Sequence, residues 1–140
     1  MRRSTYILFL FIGSILLSCN KYEEGSNFSL LSARARFINT WNMRKAESTY
    51  QDVTSDITTM YPQTELQIYK SGGFSRILTT QNGTFSDEGS WVLNDDRTKV
   101  TLKVQGQDDE EYEFVRLKNK TMKWRYQDGS VTYTIEFTGK

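Results

Sequence analysis

The chain reads as an all-β protein, an eight-stranded antiparallel up-and-down barrel preceded by a short helix, and three observations carry that reading. From Gln63 onward, turn signals recur at roughly 10 to 13 residues: Gly72-Gly73, Asn82-Gly83, Asn94-Asp95-Asp96, Gln105-Gly106, Asn119 and Asp128-Gly129. Short runs at that spacing mark an antiparallel meander. The runs themselves alternate apolar and polar residues, as half-buried strands must. Their number, eight, is the number that closes into a small barrel and leaves no free sheet edge.

The first element precedes the barrel. Arg2 and Arg3 lead into an apolar stretch from about Tyr6 to Leu17, followed by Ser18 and Cys19. This is the layout of a secretory signal peptide. The run is about a dozen residues long, short of the roughly 20 that a membrane-spanning helix needs. Leu16-Leu17-Ser18-Cys19 resembles the lipobox of bacterial lipoproteins, in which the thiol is diacylated, the preceding peptide removed and the new N-terminus acylated. The resemblance implies a signal peptide over 1–18, a mature chain beginning at Cys19, and a membrane partner held through acylated Cys19. Acyl chains add about 0.8 kcal/mol per buried CH₂, so two or three hold a small domain on a bilayer.

Residues 19–26 read as a charged tether. Asn20, where inner-membrane lipoproteins carry aspartate, resembles the residue of lipoproteins sent to the outer membrane. Lys21-Tyr22-Glu23-Glu24 is similar to the Lys-plus-acidic signal with which some Gram-negative lineages flip lipoproteins to the cell surface. The expected location is the outer membrane, lipid-anchored on its periplasmic face or at the cell surface.

The barrel domain is expected over 27–140. Phe28, Leu30, Leu31, Ala35 and Ile38 fall at roughly helical spacing, with Asn27 placed as an N-cap, and this helix is expected to plug one barrel end. Strands follow at about 41–48, 64–71, 74–81, 83–93, 98–105, 109–117, 120–127 and 130–138. The one long connection, Ser48 to Pro62, is the natural lid, with one helical turn over 56–60. Asn82-Gly83 and Asp128-Gly129 suit two-residue hairpins whose central residues need φ > 0. Val100, Leu102 and Val104 share a face, as do Met122, Trp124 and Tyr126, and Val131, Tyr133, Ile135 and Phe137. Ser86 to Gly89 is polar enough for a bulge or a bend, and the alternation breaks between Tyr112 and Leu117, where a bulge restores it.

Composition narrows the function. Of 18 basic residues, Arg2 and Arg3 leave with the signal, so 16 face 17 acidic ones. Nucleic-acid binding calls for a basic excess that is missing. Cys19 is the single cysteine, so once it is lipidated no disulfide forms and packing must supply stability. There is no histidine, which removes the usual general acid-base near neutral pH and every Ser-His-Asp or Cys-His arrangement. No catalytic residue and no cofactor is expected. The acidic run Asp108-Asp109-Glu110-Glu111, with Glu113 beyond it, lacks the spaced order and glycine of a calcium loop and reads as a solvated turn, so no metal is expected. Asp87 and Glu88 are adjacent on a strand, point to opposite faces and form no glycosidase pair.

Eight meandering strands, a preceding helix, Trp41 at the start of the first strand and a long first loop resemble a lipocalin. More closely, the chain resembles the small lipocalin-like lipoproteins of Gram-negative envelopes. The lipocalin signature Gly-x-Trp reads Asn39-Thr40-Trp41 here, and Gly89-Ser90-Trp91 matches it on the fourth strand. The resemblance implies a cation–π contact on Trp41 from Arg125 or Arg116, and a small apolar ligand in the barrel mouth. Ten inward aromatic residues, from Trp41 to Phe137, are volume enough to fill a small barrel, so two readings stand. In one, a cavity survives with Trp91, Tyr112, Trp124, Tyr126 and Tyr133 as its walls and the ligand or an envelope protein as partner. In the other, the barrel is filled and serves as an accessory subunit of an outer-membrane complex.

Overall fold

The computed structural model describes residues 21–24, 30–61 and 63–140. Among the described residues nine strands form one antiparallel sheet: β1 (Thr40–Tyr50), β2 (Val53–Asp56), β3 (Gln63–Ile68), β4 (Gly73–Thr80), β5 (Gly83–Leu93), β6 (Lys99–Val104), β7 (Glu110–Leu117), β8 (Thr121–Asp128) and β9 (Val131–Gly139). Each of β3 to β8 pairs with the next, and β1 pairs with β3 on one side and β9 on the other. Those eight strands therefore close into the expected barrel. The closing seam runs from Trp41↔Gly139 to Tyr50↔Val131, interrupted by a bulge at Arg44.

The ninth strand corrects the expected loop. β1 continues to Tyr50, turns through Gln51 and Asp52 at φ 48° and 64°, and returns as β2 from Tyr50↔Val53 to Glu47↔Asp56. The expected helical turn is a short 3₁₀ segment, Thr58–Met60. It is fastened to β1: Ile57 N–H donates to the Ala46 carbonyl (2.9 Å) and Ala46 N–H donates to Thr58 Oγ1 (2.9 Å). β1 thus shares one edge between two partners, β3 over Thr40–Asn42 and β2 over Glu47–Tyr50. The barrel widens where the two part.

The helix is shorter than expected. Helix α1 is Ala33–Phe37, and Ser32, rather than Asn27, is its cap, accepting from Ala35 N–H at 3.1 Å. Asn27 and Phe28 lie outside the described residues, and Leu30 is 97% exposed. Ala33, Arg36 and Phe37, at i, i+3 and i+4, face inward. Phe37 meets Trp91 and Phe114 edge-on at 5.2 and 5.3 Å, and its carbonyl accepts from Trp41 Nε1 at 2.9 Å. The helix plugs one end, as expected.

The β7–β8 register shifts between Phe114 and Arg116, so Val115 is the expected bulge and Val115 and Leu117 are both buried. Between Ser86 and Gly89 the register is unbroken. Gly89 instead marks where β5 passes from β4 to β6, pairing Phe74 on one side and Val104 on the other.

Arg116 and Arg125 do not stack on Trp41. β8 turns Met122 and Trp124 inward, which leaves Lys123 and Arg125 on the outer face, beside Arg116. There they bind residues 21–24, expected in the tether. Glu24 pairs with Lys123 (2.8 Å) and Arg116 (3.0 Å), and Glu23 pairs with Arg125. Glu24 N–H donates to the carbonyl of the bulge residue Val115 at 2.8 Å. Tyr22, only 3% exposed, sets its ring edge on Phe114 and donates its hydroxyl to the Arg97 carbonyl at 3.1 Å. Among the described residues, the cation–π contacts belong to Arg34 on Trp91 and Arg36 on Tyr22.

Candidate functional site

Opposite α1 the barrel is open, and a cavity of about 890 Å³ enters it. Its depth is apolar, lined by Leu66, Ile135 and Phe137. This is the size range of small-molecule sites, which are apolar clefts with a few placed polar groups. Ile57 and Tyr61, from the connection expected as a lid, form part of its wall.

Four of the five expected wall residues come together there. Tyr112 and Trp124 stack at 4.2 Å between ring centroids, and Tyr126 and Tyr133 stack at 4.9 Å. Tyr126 meets Tyr112 edge-on at 5.3 Å. Each is the inward residue of β7, β8 or β9, so the pleat alone lays these rings along one wall. Trp91 does not join them. It sits at the α1 end, where its Nε1 donates to the Tyr69 carbonyl (3.2 Å) and the Arg34 guanidinium covers its ring (4.6 Å). The same strand reaches the cavity through Phe85 and Asp87 instead.

A charged cluster that was not expected lies in this wall. Arg76 projects inward from β4 opposite Asp87 of β5. Its Nε and Nη2 donate to Asp87 at 3.0 and 2.5 Å, and its Nη1 and Nη2 donate to Glu110 at 2.7 and 3.1 Å. Nη1 also donates to the Tyr112 hydroxyl (3.2 Å), which in turn donates to Glu110 at 2.6 Å. The signal was available in the alternation of β4 and β5. Phe74, Arg76 and Leu78 share one face, as do Phe85, Asp87 and Gly89, so opposite charges fall in phase on the apolar side of adjacent strands.

Environment fixes the charge states. Burial works against the Arg76 cation, and the hydrogen bonds to Asp87 and Glu110 more than offset it, so the guanidinium stays protonated far above its ordinary value. Burial likewise opposes the Glu110 carboxylate, but Arg76 and Tyr112 hold it below its ordinary range. Burial and the neighbouring Glu110 push the Tyr112 hydroxyl well up, and burial pushes Tyr126 up to about 12. At neutral pH Tyr112 and Tyr126 are therefore phenols rather than phenolates. Two further polar groups of the wall, Trp124 Nε1–H and Thr64 Oγ1, are buried with no hydrogen-bond partner among the described residues. Such groups cost about 1–3 kcal/mol each while unpaired.

Among the described residues, no three His, Cys, Asp or Glu side chains are grouped to hold a metal ion, and no helix is long and apolar enough to cross a membrane. No protein-family description matches the chain, and no curated protein is similar to it in sequence. Among solved structures, it is similar to bovine odorant binding protein in complex with a selenium-containing odorant. The TM-score is 0.49 at 12% identity, over 84% of this chain and 78% of that one.

Proposed function

We propose that the chain is a lipid-anchored outer-membrane lipoprotein whose lipocalin-like barrel binds a small apolar ligand without chemistry. The observation that carries the binding half is the cavity of about 890 Å³ at the end opposite α1. A filled barrel acting only as an accessory subunit leaves that volume unexplained. Tyr112, Trp124, Tyr126 and Tyr133 serve as the aromatic wall.

The anchor half rests on Leu16-Leu17-Ser18-Cys19, and residues 21–24 add a geometric consequence. Tyr22 is buried at the plugged end, beside Arg36 and Arg97. Cys19 precedes it by three residues, a reach of at most about 11 Å. Acylation at Cys19 therefore holds the plugged end toward the bilayer and turns the cavity mouth away from it, into the aqueous space a ligand crosses.

Native mass spectrometry of the full chain, gently extracted from the producing cells, tests the binding half. A reproducible small-molecule adduct is expected; a protein that co-purifies with an adduct-free barrel would favour the accessory-subunit reading instead. For the anchor, Cys19→Ser is expected to leave the protein soluble in the periplasm or uncleaved. A processed Cys19→Ser chain that still partitions with membranes would overturn it.

A further inference from the structure

The cavity mouth has a sign. Its walls hold six carboxylates, Asp87, Asp108, Asp109, Glu110, Glu111 and Asp128, against one guanidinium, Arg76. That guanidinium is fully committed. Of its five N–H donors, one on Nε reaches Asp87, two on Nη1 reach Glu110 and Tyr112, and two on Nη2 reach Asp87 and Glu110. An entering carboxylate or phosphate finds no free cation on this wall among the described residues.

The acids at the rim are less compensated. Glu111 and Asp109 pair outward with Lys99 (2.7 Å) and Lys103 (3.4 Å), whereas Asp108 and Asp128 stand in no ion pair among the described residues. Beside Asp128 lie the stacked rings of Tyr126 and Tyr133, whose faces attract cations. Below them the wall is apolar, and Trp124, 3% exposed, holds its unpaired Nε1–H.

We infer that the cavity takes a cationic amphiphile, an alkyl or aryl amine or quaternary ammonium, with its charged head at the mouth among Asp108, Asp128 and the Tyr126–Tyr133 pair and its apolar body inside. This rests on the ligand-binding reading proposed above and specifies its substrate class. Neutral apolar molecules share the body contacts but not the mouth. Anionic amphiphiles such as fatty acids meet like charge there.

The test uses three isosteric, water-soluble probes: phenylbutyl-trimethylammonium, phenylbutanol and phenylpentanoate. Each is titrated calorimetrically into the full chain in phosphatidylcholine nanodiscs, with empty nanodiscs as the blank. At about 20 mM salt the cation is expected to bind about tenfold or more tighter than the carboxylate, with the alcohol between them. At about 500 mM salt the ratio should shrink to about twofold, because the Debye length falls to a few ångströms. Asp108→Asn with Asp128→Asn should lower the cation's advantage to about threefold at low salt and leave the alcohol unchanged. A carboxylate that binds as tightly as the cation, a cation no tighter than the alcohol, or a preference indifferent to salt overturns the inference and leaves the cavity a neutral-ligand site. Binding of none of the three above the blank overturns the ligand-binding reading itself.

Discussion

Arg76 is the single side chain on which the cavity wall most depends, and Arg76→Leu isolates its contribution. In the parent, four N···O contacts of 2.5 to 3.1 Å join it to two carboxylates. Arg76, Asp87 and Glu110 are 19%, 23% and 33% exposed, so the cluster is neither at the surface nor fully dry. Exposed ion pairs contribute about 0–1 kcal/mol, and removing one partner of a buried pair costs about 3–5 kcal/mol. The intermediate burial points to a loss of about 2–3 kcal/mol at pH 7, or about 10 °C in melting temperature for a domain of this size.

The pH dependence separates stranded charge from lost packing. In the parent, Glu110 has a lowered folded pKa, so its contribution is complete above its ordinary value of 4.5 and is lost as pH falls through the lowered value. In Arg76→Leu the guanidinium is gone, and burial beside a second carboxylate raises the folded pKa of Glu110 above its unfolded value. The penalty is then greatest at neutral pH and is relieved on acidification toward the ordinary carboxylate range. Denaturant unfolding at pH 7 and pH 5 should show the variant gaining stability relative to the parent at the lower pH. Adding Asp87→Asn and Glu110→Gln should recover at least half of the loss at pH 7. A loss under about 1 kcal/mol, or a variant that follows the parent's pH profile, would show that the carboxylates are not stranded and refute the reasoning.

Two further substitutions probe the scaffold. Gly89→Ala places a Cβ inside the van der Waals radius of the Lys103 carbonyl at the point where β5 changes partners, so β5 and β6 must separate; a loss of about 3 kcal/mol by denaturant unfolding is expected, and a near-neutral result would mean that the strands part freely there. Tyr22→Ala removes the buried ring that docks residues 21–24, and hydrogen exchange at the Glu24 amide, bonded to Val115, should accelerate by about a hundredfold or more while the β7–β8 amides stay protected. Acid should release the same segment. The hydrogen bond from Lys123 and the surrounding cations hold Glu24 below its ordinary value of 4.5, so docking is complete above that value and is lost as pH falls through the lowered one.

The barrel was legible because its signals are local. Turn chemistry marked the strand ends near Asn82-Gly83 and Asp128-Gly129, although the central pairs are Gln81-Asn82 and Gly129-Ser130 and among these four only Gly129 has positive φ. With the uninterrupted alternation of Val131 to Phe137, eight strands and a bulge between Tyr112 and Leu117 could be read directly. β2 could not. Its turn uses Gln51 and Asp52 at positive φ with no glycine, and its four residues are all exposed, so no apolar pattern distinguishes them from a loop. The docking of Lys21–Glu24 was hidden for a different reason: a charged stretch looks solvated until the outward row of Arg116, Lys123 and Arg125 is built opposite it. Tyr112, Trp124, Tyr126 and Tyr133 were found at the cavity because they are inward residues of neighbouring strands. Trp91 was misjudged because inward-facing does not specify height along the barrel.

Height also explains why ten inward aromatics leave a cavity at all. At the α1 end, Trp41, Phe74, Trp91 and Phe114 meet from different sides of the barrel, and Phe37 of the helix completes the plug. Toward the mouth four aromatic side chains belong to β7, β8 and β9, where stacking in pairs keeps Tyr112, Trp124, Tyr126 and Tyr133 along their own wall. Beyond β9 the wall offers the small residues Ala46 of β1 and Thr64 of β3, and Phe85 is 59% exposed at the rim rather than filling the space. The short β1–β3 pairing keeps those small residues at a distance, since beyond Asn42 the outer edge of β1 turns to β2. The opening therefore follows from an uneven distribution of side-chain volume around the ring of strands. Filling it would take a large residue at Ala46 or Thr64, not one more aromatic on β8.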